Sequence, residues 1–347
     1  MSVVAVVTSS PPFAEGGHLV IARALVHALA AEGHASDLIV TPQNRFGRQG
    51  AAYLATWLTD VGQTADGRPV DQVISLRYPS YAVRHPAHVC WLNHTMREYY
   101  DQWDRFSGAL SWKARVKEHV RRSLVQRADR QLLTSGLRRL FVLSKTVQRR
   151  LERWGGIRSE VLYPPAPPRA YRCDGYEPWL FAVSRFTPLK RMGLIVEALA
   201  QPAARGIRCV LAGEGEDLVA VRAAIARHGI GDRVVLAGRL DDAALVDHLA
   251  RCRGVVFVPF DEDYGFVTVE AFASGKPVLT VTDSGGPAEL VRDGASGRVT
   301  APEPAALAAA MRQLLDDPGG AERMGREGQQ DGARLTWRET VRRLLVV

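Results

Sequence analysis

Pro259-Phe260-Asp261-Glu262-Asp263-Tyr264-Gly265-Phe266-Val267-Thr268-Val269-Glu270-Ala271-Phe272 holds a strand end, a glycine-bearing turn and a helix start in one short stretch. The apolar run Val255 to Pro259 feeds it, and a helix is expected from Phe266. Strand, loop, helix is the repeating unit of a parallel sheet wrapped by helices, so the neighbouring sequence should repeat it. It does so in both directions. Strand-like runs stand at Trp179 to Val183, Cys209 to Ala212, Val234 to Ala237 and Val278 to Val281, with helices beginning at Met192, Asp217, Asp242 and Pro287. Upstream lies Tyr163-Pro164-Pro165-Ala166-Pro167-Pro168, which can join neither a helix nor a central strand and should run extended between domains. Before it the alternation occurs a first time. Strands are expected at Val3 to Val7, Asp37 to Val40, Val73 to Leu76, His88 to Leu92 and Leu140 to Leu143, and a helix from His18 to Ala31 ends at Gly33.

The fold class is therefore α/β, with two Rossmann-like doubly wound domains over residues 1–165 and 166–332. A final helical segment, 333–347, is placed to pack back on the first domain. A length of 347 residues suits two such cores. Ligands of doubly wound sheets bind at the carboxyl ends of strands, so two facing units would enclose a cleft.

Apolar content of 46% and charged content of 24% are those of a globular protein. No apolar stretch approaches the ~20 residues of a spanning helix and no cationic leader precedes Val3, which reads as a cytoplasmic protein. Cys90, Cys173, Cys209 and Cys252 show no zinc-site or paired spacing and are expected as reduced thiols, Cys90 and Cys209 inside strands. The net charge of +8 is unevenly placed: residues 105–153 hold fourteen Lys and Arg against Glu118, Asp129 and Glu152. Such a segment suits phosphate-bearing partners, among them lipid headgroups at a membrane's inner face, pyrophosphate-linked acceptors and nucleic acid. A solvated helix face is the other reading, with Val116, Val120 and Leu124 expected as its buried stripe. No nucleic-acid module is recognisable in the chain.

The turn before Phe266 has the makings of an anion site. Amides of Gly265, Phe266, Val267 and Thr268 would point from a helix N-terminus toward a diphosphate. Glu270 in the first turns and Glu262 eight residues earlier can accept hydrogen bonds from sugar hydroxyls. In Ala182-Val183-Ser184-Arg185-Phe186-Thr187-Pro188-Leu189-Lys190-Arg191, Arg185 and Lys190 end a strand, where a guanidinium fork and an ammonium would offset charge on a departing diphosphate. Lys190 and Arg191 also stand at a helix start, where the dipole disfavours cations.

Together with Gly275-Lys276-Pro277-Val278 and Gly285-Gly286-Pro287-Ala288-Glu289, this run resembles the signature of glycosyltransferase family 4, with Tyr264 in the place of a phenylalanine. The resemblance is close from Val161 to Gly297 and looser before. It implies the GT-B fold and a retaining transfer from a nucleotide sugar, a UDP-sugar first. The acceptor would be a carbohydrate, a lipid-linked intermediate or a small molecule. By the same resemblance Glu262 contacts the transferred sugar, Glu270 the ribose, and Arg185 with Lys190 the pyrophosphate. Gly213-Glu214-Gly215 is similar to the family's loop near the nucleotide, Arg239 and Leu240 would seat the base, Glu15-Gly16-Gly17 is similar to its first glycine-rich loop, and His94 would reach the hexose. Asp261-Glu262-Asp263 formally matches a metal-binding Asp-x-Asp of a different glycosyltransferase fold, but it overlaps the paired-Glu motif, so no cofactor and no metal are expected. A nicotinamide dehydrogenase is disfavoured because neither half presents Gly-x-Gly-x-x-Gly between strand and helix. An epimerase or phosphorylase on the same architecture differs in product rather than in fold.

Overall fold

Short strands, most of them runs of β-branched and apolar residues followed by a helix, give two six-stranded parallel sheets in the computed structural model, which describes residues 1–13, 16–43 and 46–346. The chain divides into two units, Met1–Pro164 with Thr336–Val347, and Pro165–Leu335.

In the first unit β1 (Val3–Ser10), α1 (Gly17–Ala31), β2 (Ala35–Pro42), α2 (Gln49–Trp57), β3 (Gln72–Ser75) and β4 (His88–Leu92) lead to α3 (Trp103–Gly108) and α4 (Trp112–Ser135). Then come β5 (Arg139–Val142), α5 (Lys145–Gly155) and the two-residue β6 (Glu160–Val161). The strand order is β2-β1-β3-β4-β5-β6. Every residue of β3 and β4 is buried, as expected of inner strands covered on both faces. Cys90 lies in this interior, where burial pushes its thiol up to about 12.

The second unit runs β7 (Glu177–Val183), α6 (Met192–Leu199), β8 (Arg208–Ala212), α7 (Leu218–Arg227), β9 (Val234–Gly238), α8 (Asp242–Arg251) and β10 (Cys252–Val256). It continues with α9 (Phe266–Ala273), β11 (Val278–Val281), α10 (Gly286–Leu290), β12 (Gly297–Thr300), α11 (Pro304–Asp316) and α12 (Pro318–Ala333). Its order is β12-β11-β10-β7-β8-β9. The apolar run that predicts a strand over 255–259 is buried through Val258, yet the ladder closes at Val256. The remainder carries the chain past the carboxyl end of this inner strand into the 259–263 loop. β6 and β12 carry no apolar run that would reveal them in sequence.

The last helix, α13 (Trp337–Leu344), belongs to the first unit. The buried Gln72 side chain donates to the Leu344 carbonyl at 2.7 Å and accepts from the Val346 amide at 2.9 Å. Trp337 meets Trp91 edge to face, with ring centroids 6.3 Å apart.

The basic helix α4 corrects one expectation. Val116, Val120 and Leu124 are 59%, 56% and 60% exposed, and the inward face is instead Glu118, Val125, Asp129 and Leu133. Two carboxylates on a buried face need donors. Tyr99 donates to Glu118 at 2.5 Å, and Tyr53, Tyr81 and Tyr100 all donate to Asp129, the last at 2.8 Å. The tyrosine hydroxyls let acids face inward, so the apolar stripe faces out.

Candidate active site

Within the second unit β7, β8 and β9 are laid down outward in one direction, and the chain then returns to place β10 on the other side of β7. The strand order thus reverses between β7 and β10, and open parallel sheets bind ligands at the carboxyl ends of strands beside such a reversal. Arg185 and Lys190 follow β7, and Glu262 and Gly265 follow β10.

Local hydrogen bonds join these two loops. The Phe260 amide donates to the Leu189 carbonyl at 2.7 Å, and the Asp261 and Glu262 amides donate to Asp283 and Ser284 at 2.8 and 2.9 Å. Arg191, the residue before α6, adopts the left-handed conformation at φ 50°. Its guanidinium grips Asp283 at 2.9 and 2.6 Å and also donates to the carbonyls of Val258 and Pro259. Arg191 is therefore a brace for the 259–262 loop, a role its place at a helix start did not reveal. Gly285 closes the arrangement, because at φ 72° a Cβ would stand 2.5 Å from the Glu262 carbonyl oxygen. The result brings Lys190 onto Glu262 as an ion pair, each side chain largely screened from solvent. Arg185 is different: its side chain is exposed and makes no hydrogen bond or ion pair with the described residues.

Gly265 precedes α9 at φ 85°, and the amides of Gly265, Phe266 and Val267 donate to no other described backbone group. The expectation of a fourth free amide is corrected at Thr268. Its N–H closes a tight first turn on the Gly265 carbonyl at 3.0 Å, and its side chain is fully buried. Glu270 is only 6% exposed. Its Oε1 receives Arg169 and, at 3.3 Å, the Tyr171 hydroxyl, while Oε2 has no partner among the described residues. Burial raises the Glu270 pKa, and the Arg169 charge opposes that rise. Arg169 and Tyr171 lie just past the proline-rich linker, with no motif to mark them.

Gly213 and Gly215 follow β8 and fold beneath the loop after β7. A Cβ on Gly213 would lie 1.8 Å from the Ser184 carbonyl oxygen, and one on Gly215 2.3 Å from that of Phe186. Both glycines are thus demanded by backbone approach alone. The Gly213 amide donates to the Gly238 carbonyl at 2.7 Å, which ties in the end of β9, where Arg239 is exposed and Leu240 half-buried. In the first unit Gly16 precedes and Gly17 begins α1, after β1. Glu15 lies outside the described residues. His94 follows β4, and its Nδ1–H donates to the Thr95 carbonyl oxygen at 2.7 Å. β1 and β4 are separated by β3, so these two loops are not adjacent along the sheet.

The family described as glycosyl transferases group 1 matches residues 169–331, the segment that holds the Lys190–Glu262 pair and α9. A D-inositol 3-phosphate glycosyltransferase of Nocardia farcinica is 36% identical over 180 residues, 49% of this chain and 40% of that protein. A glycogen synthase of Mycobacterium tuberculosis is 35% identical over 126 residues, 36% of this chain and 30% of that protein. The chain thus matches less than half the length of these relatives. Among solved structures, sucrose-phosphate synthase from Thermosynechococcus elongatus superposes with a TM-score of 0.76 at 18% identity, covering 99% of this chain and 97% of that one. Residues 169–331 are thus similar to the glycosyl transferases group 1 family, and the fold of the chain is GT-B.

Proposed function

We propose that this chain is a retaining glycosyltransferase that moves a hexose-type sugar from a nucleotide sugar, a UDP-sugar foremost, to a hydroxyl of a carbohydrate, lipid-linked or small-molecule acceptor. The observation that carries this reading is the Lys190–Glu262 pair beside the unengaged Arg185, where the strand order reverses. An exposed arginine with no carboxylate partner among the described residues and a lysine with two N–H donors to spare suit a diphosphate.

In the proposed reaction the acceptor oxygen bonds to the anomeric carbon on the face from which the diphosphate departs. The bond from that carbon to the phosphate oxygen breaks, its electron pair stays on the diphosphate, and the acceptor proton passes to the same oxygen. Arg185, Lys190 and the amides of Gly265 to Val267 offset the charge that grows there. Glu262 accepts from hydroxyls of the transferred sugar, Glu270 offers Oε2 to the ribose, Arg239 and Leu240 border the base, and His94 orients the hexose. The protein's own cations supply the positive charge, so the reading includes no metal, and activity should persist in EDTA.

Arg185→Ala tests the reading directly. Its side chain supports nothing in the fold, so the melting temperature should stay unchanged while turnover falls about 100- to 1,000-fold. Full turnover in this variant removes the clamp from the mechanism. Products separate the neighbouring chemistries: an epimerase alters the nucleotide sugar with no acceptor present, and a phosphorylase requires inorganic phosphate.

A further inference from the structure

The outward face of α4 presents apolar side chains at a regular four-residue step. Trp112, Val116, Val120 and Leu124 are 71%, 59%, 56% and 60% exposed. Side chains four apart lie one above the other on a helix, so the four make a continuous ridge on a rod about 36 Å long. Leaving such a ridge in water has a cost that evolves away unless something covers it.

The charges on the same face identify the cover. Lys113, Lys117, Arg127 and Arg130 flank or extend the ridge, all exposed and none in an ion pair with the described residues. The only acids in α4 are Glu118 and Asp129, and both are turned inward onto tyrosines. The outward face of α4 therefore carries apolar groups and cations and no carboxylate. Beside its second half lies a cavity of about 410 Å³ lined by Arg127, Arg130 and Arg153 together with Trp154. Three guanidinium groups around one cavity are suited to a phosphate ester.

We propose that the outward face of α4, with the Arg127–Arg130–Arg153 cavity at its end, docks this chain on a membrane surface rich in anionic phospholipid. The apolar ridge enters the boundary between headgroups and acyl chains, Trp112 sits at that boundary, and the lysines and arginines meet headgroup phosphates. Nucleic acid would account for the cations but leave four apolar side chains without a role. A protein partner would need acids set between apolar contacts, and anionic lipid meets both demands with one surface. The inference stands on the first unit alone and does not rest on the glycosyl-transfer reading.

Flotation of the full chain with vesicles tests it. The protein should float with vesicles of phosphatidylcholine and phosphatidylglycerol, stay behind with phosphatidylcholine alone, and be released by high salt. Lys113→Gln with Lys117→Gln should weaken binding about thirty-fold, at ~1 kcal/mol for each cation near the surface. Val120→Asp with Leu124→Asp should weaken it at least about tenfold. Both double variants should keep the wild-type melting temperature, since these side chains project into solvent. Arg208→Gln, an exposed cation of the second unit, should change nothing. The proposal is overturned by equal flotation with uncharged vesicles, by no flotation with anionic ones, or by wild-type binding in the Val120/Leu124 variant. It is likewise overturned if duplex DNA binds with the same dependence on the lysines and displaces the vesicles. None of these outcomes bears on Arg185→Ala, so the two readings fail separately.

Discussion

A carboxylate inside a protein needs donors, and Glu270 obtains them from Arg169 and Tyr171, about a hundred positions earlier in the chain. The paired Glu spacing singles out Glu270 in the sequence, but its partners are invisible there because nothing in the local pattern links position 169 to 270. Arg169→Ala should therefore destabilise the second unit by about 3–5 kcal/mol, the cost of leaving a buried charge without its partner. Urea unfolding measures it, and a loss below about 1 kcal/mol would mean that Glu270 does not depend on Arg169 for its charge. Lys190 and Arg191 illustrate the same limit. Adjacent cations at a helix start look alike in sequence, yet one pairs with Glu262 at the site and the other braces Asp283 beneath it.

Among the elements, α4 separates what periodicity can tell from what it cannot. The four-residue recurrence of Val116, Val120 and Leu124 correctly marks a helix, but which side turns inward depends on tyrosines far away in sequence. Asp129 makes this measurable. Burial pushes its carboxyl up to about 6, while hydrogen bonds from Tyr53, Tyr81 and Tyr100 restrain the rise. An unfolded aspartate titrates near ~3.9, so the folded state binds this proton more tightly. The stabilisation linked to Asp129 is then complete below that value and is lost as pH rises through about 6. Relative to Asp129→Asn, the wild type should lose on the order of 2–3 kcal/mol of stability between pH 4 and pH 7. Denaturant unfolding across that range gives the difference, and a gain with rising pH would reverse the assignment.

At the scale of the molecule, the first unit is completed by the end of the chain. Val341 and Leu344 of α13 are buried, and Gln72 in β3 spends its side-chain amide on Leu344 and Val346. Removing residues 336–347 should cost the first unit about 3–5 kcal/mol, the value of two buried aliphatic side chains. Hydrogen exchange by mass spectrometry should then show β1, β3 and β4 losing protection while β7 to β11 keep theirs. Uniform loss across both units would mean that they do not unfold independently.

The alternation of strands and helices, most strand positions, the proline-rich junction and the Glu262/Glu270 spacing are written in the sequence, because each follows from local backbone preference or from neighbours within one turn. Strand order, the inward face of α4, the Arg169–Glu270 pair and the joining of Lys190 to Glu262 were decided only by tertiary structure. Those contacts close loops of tens of residues, and their energies come from burial and charge pairing that local periodicity does not encode.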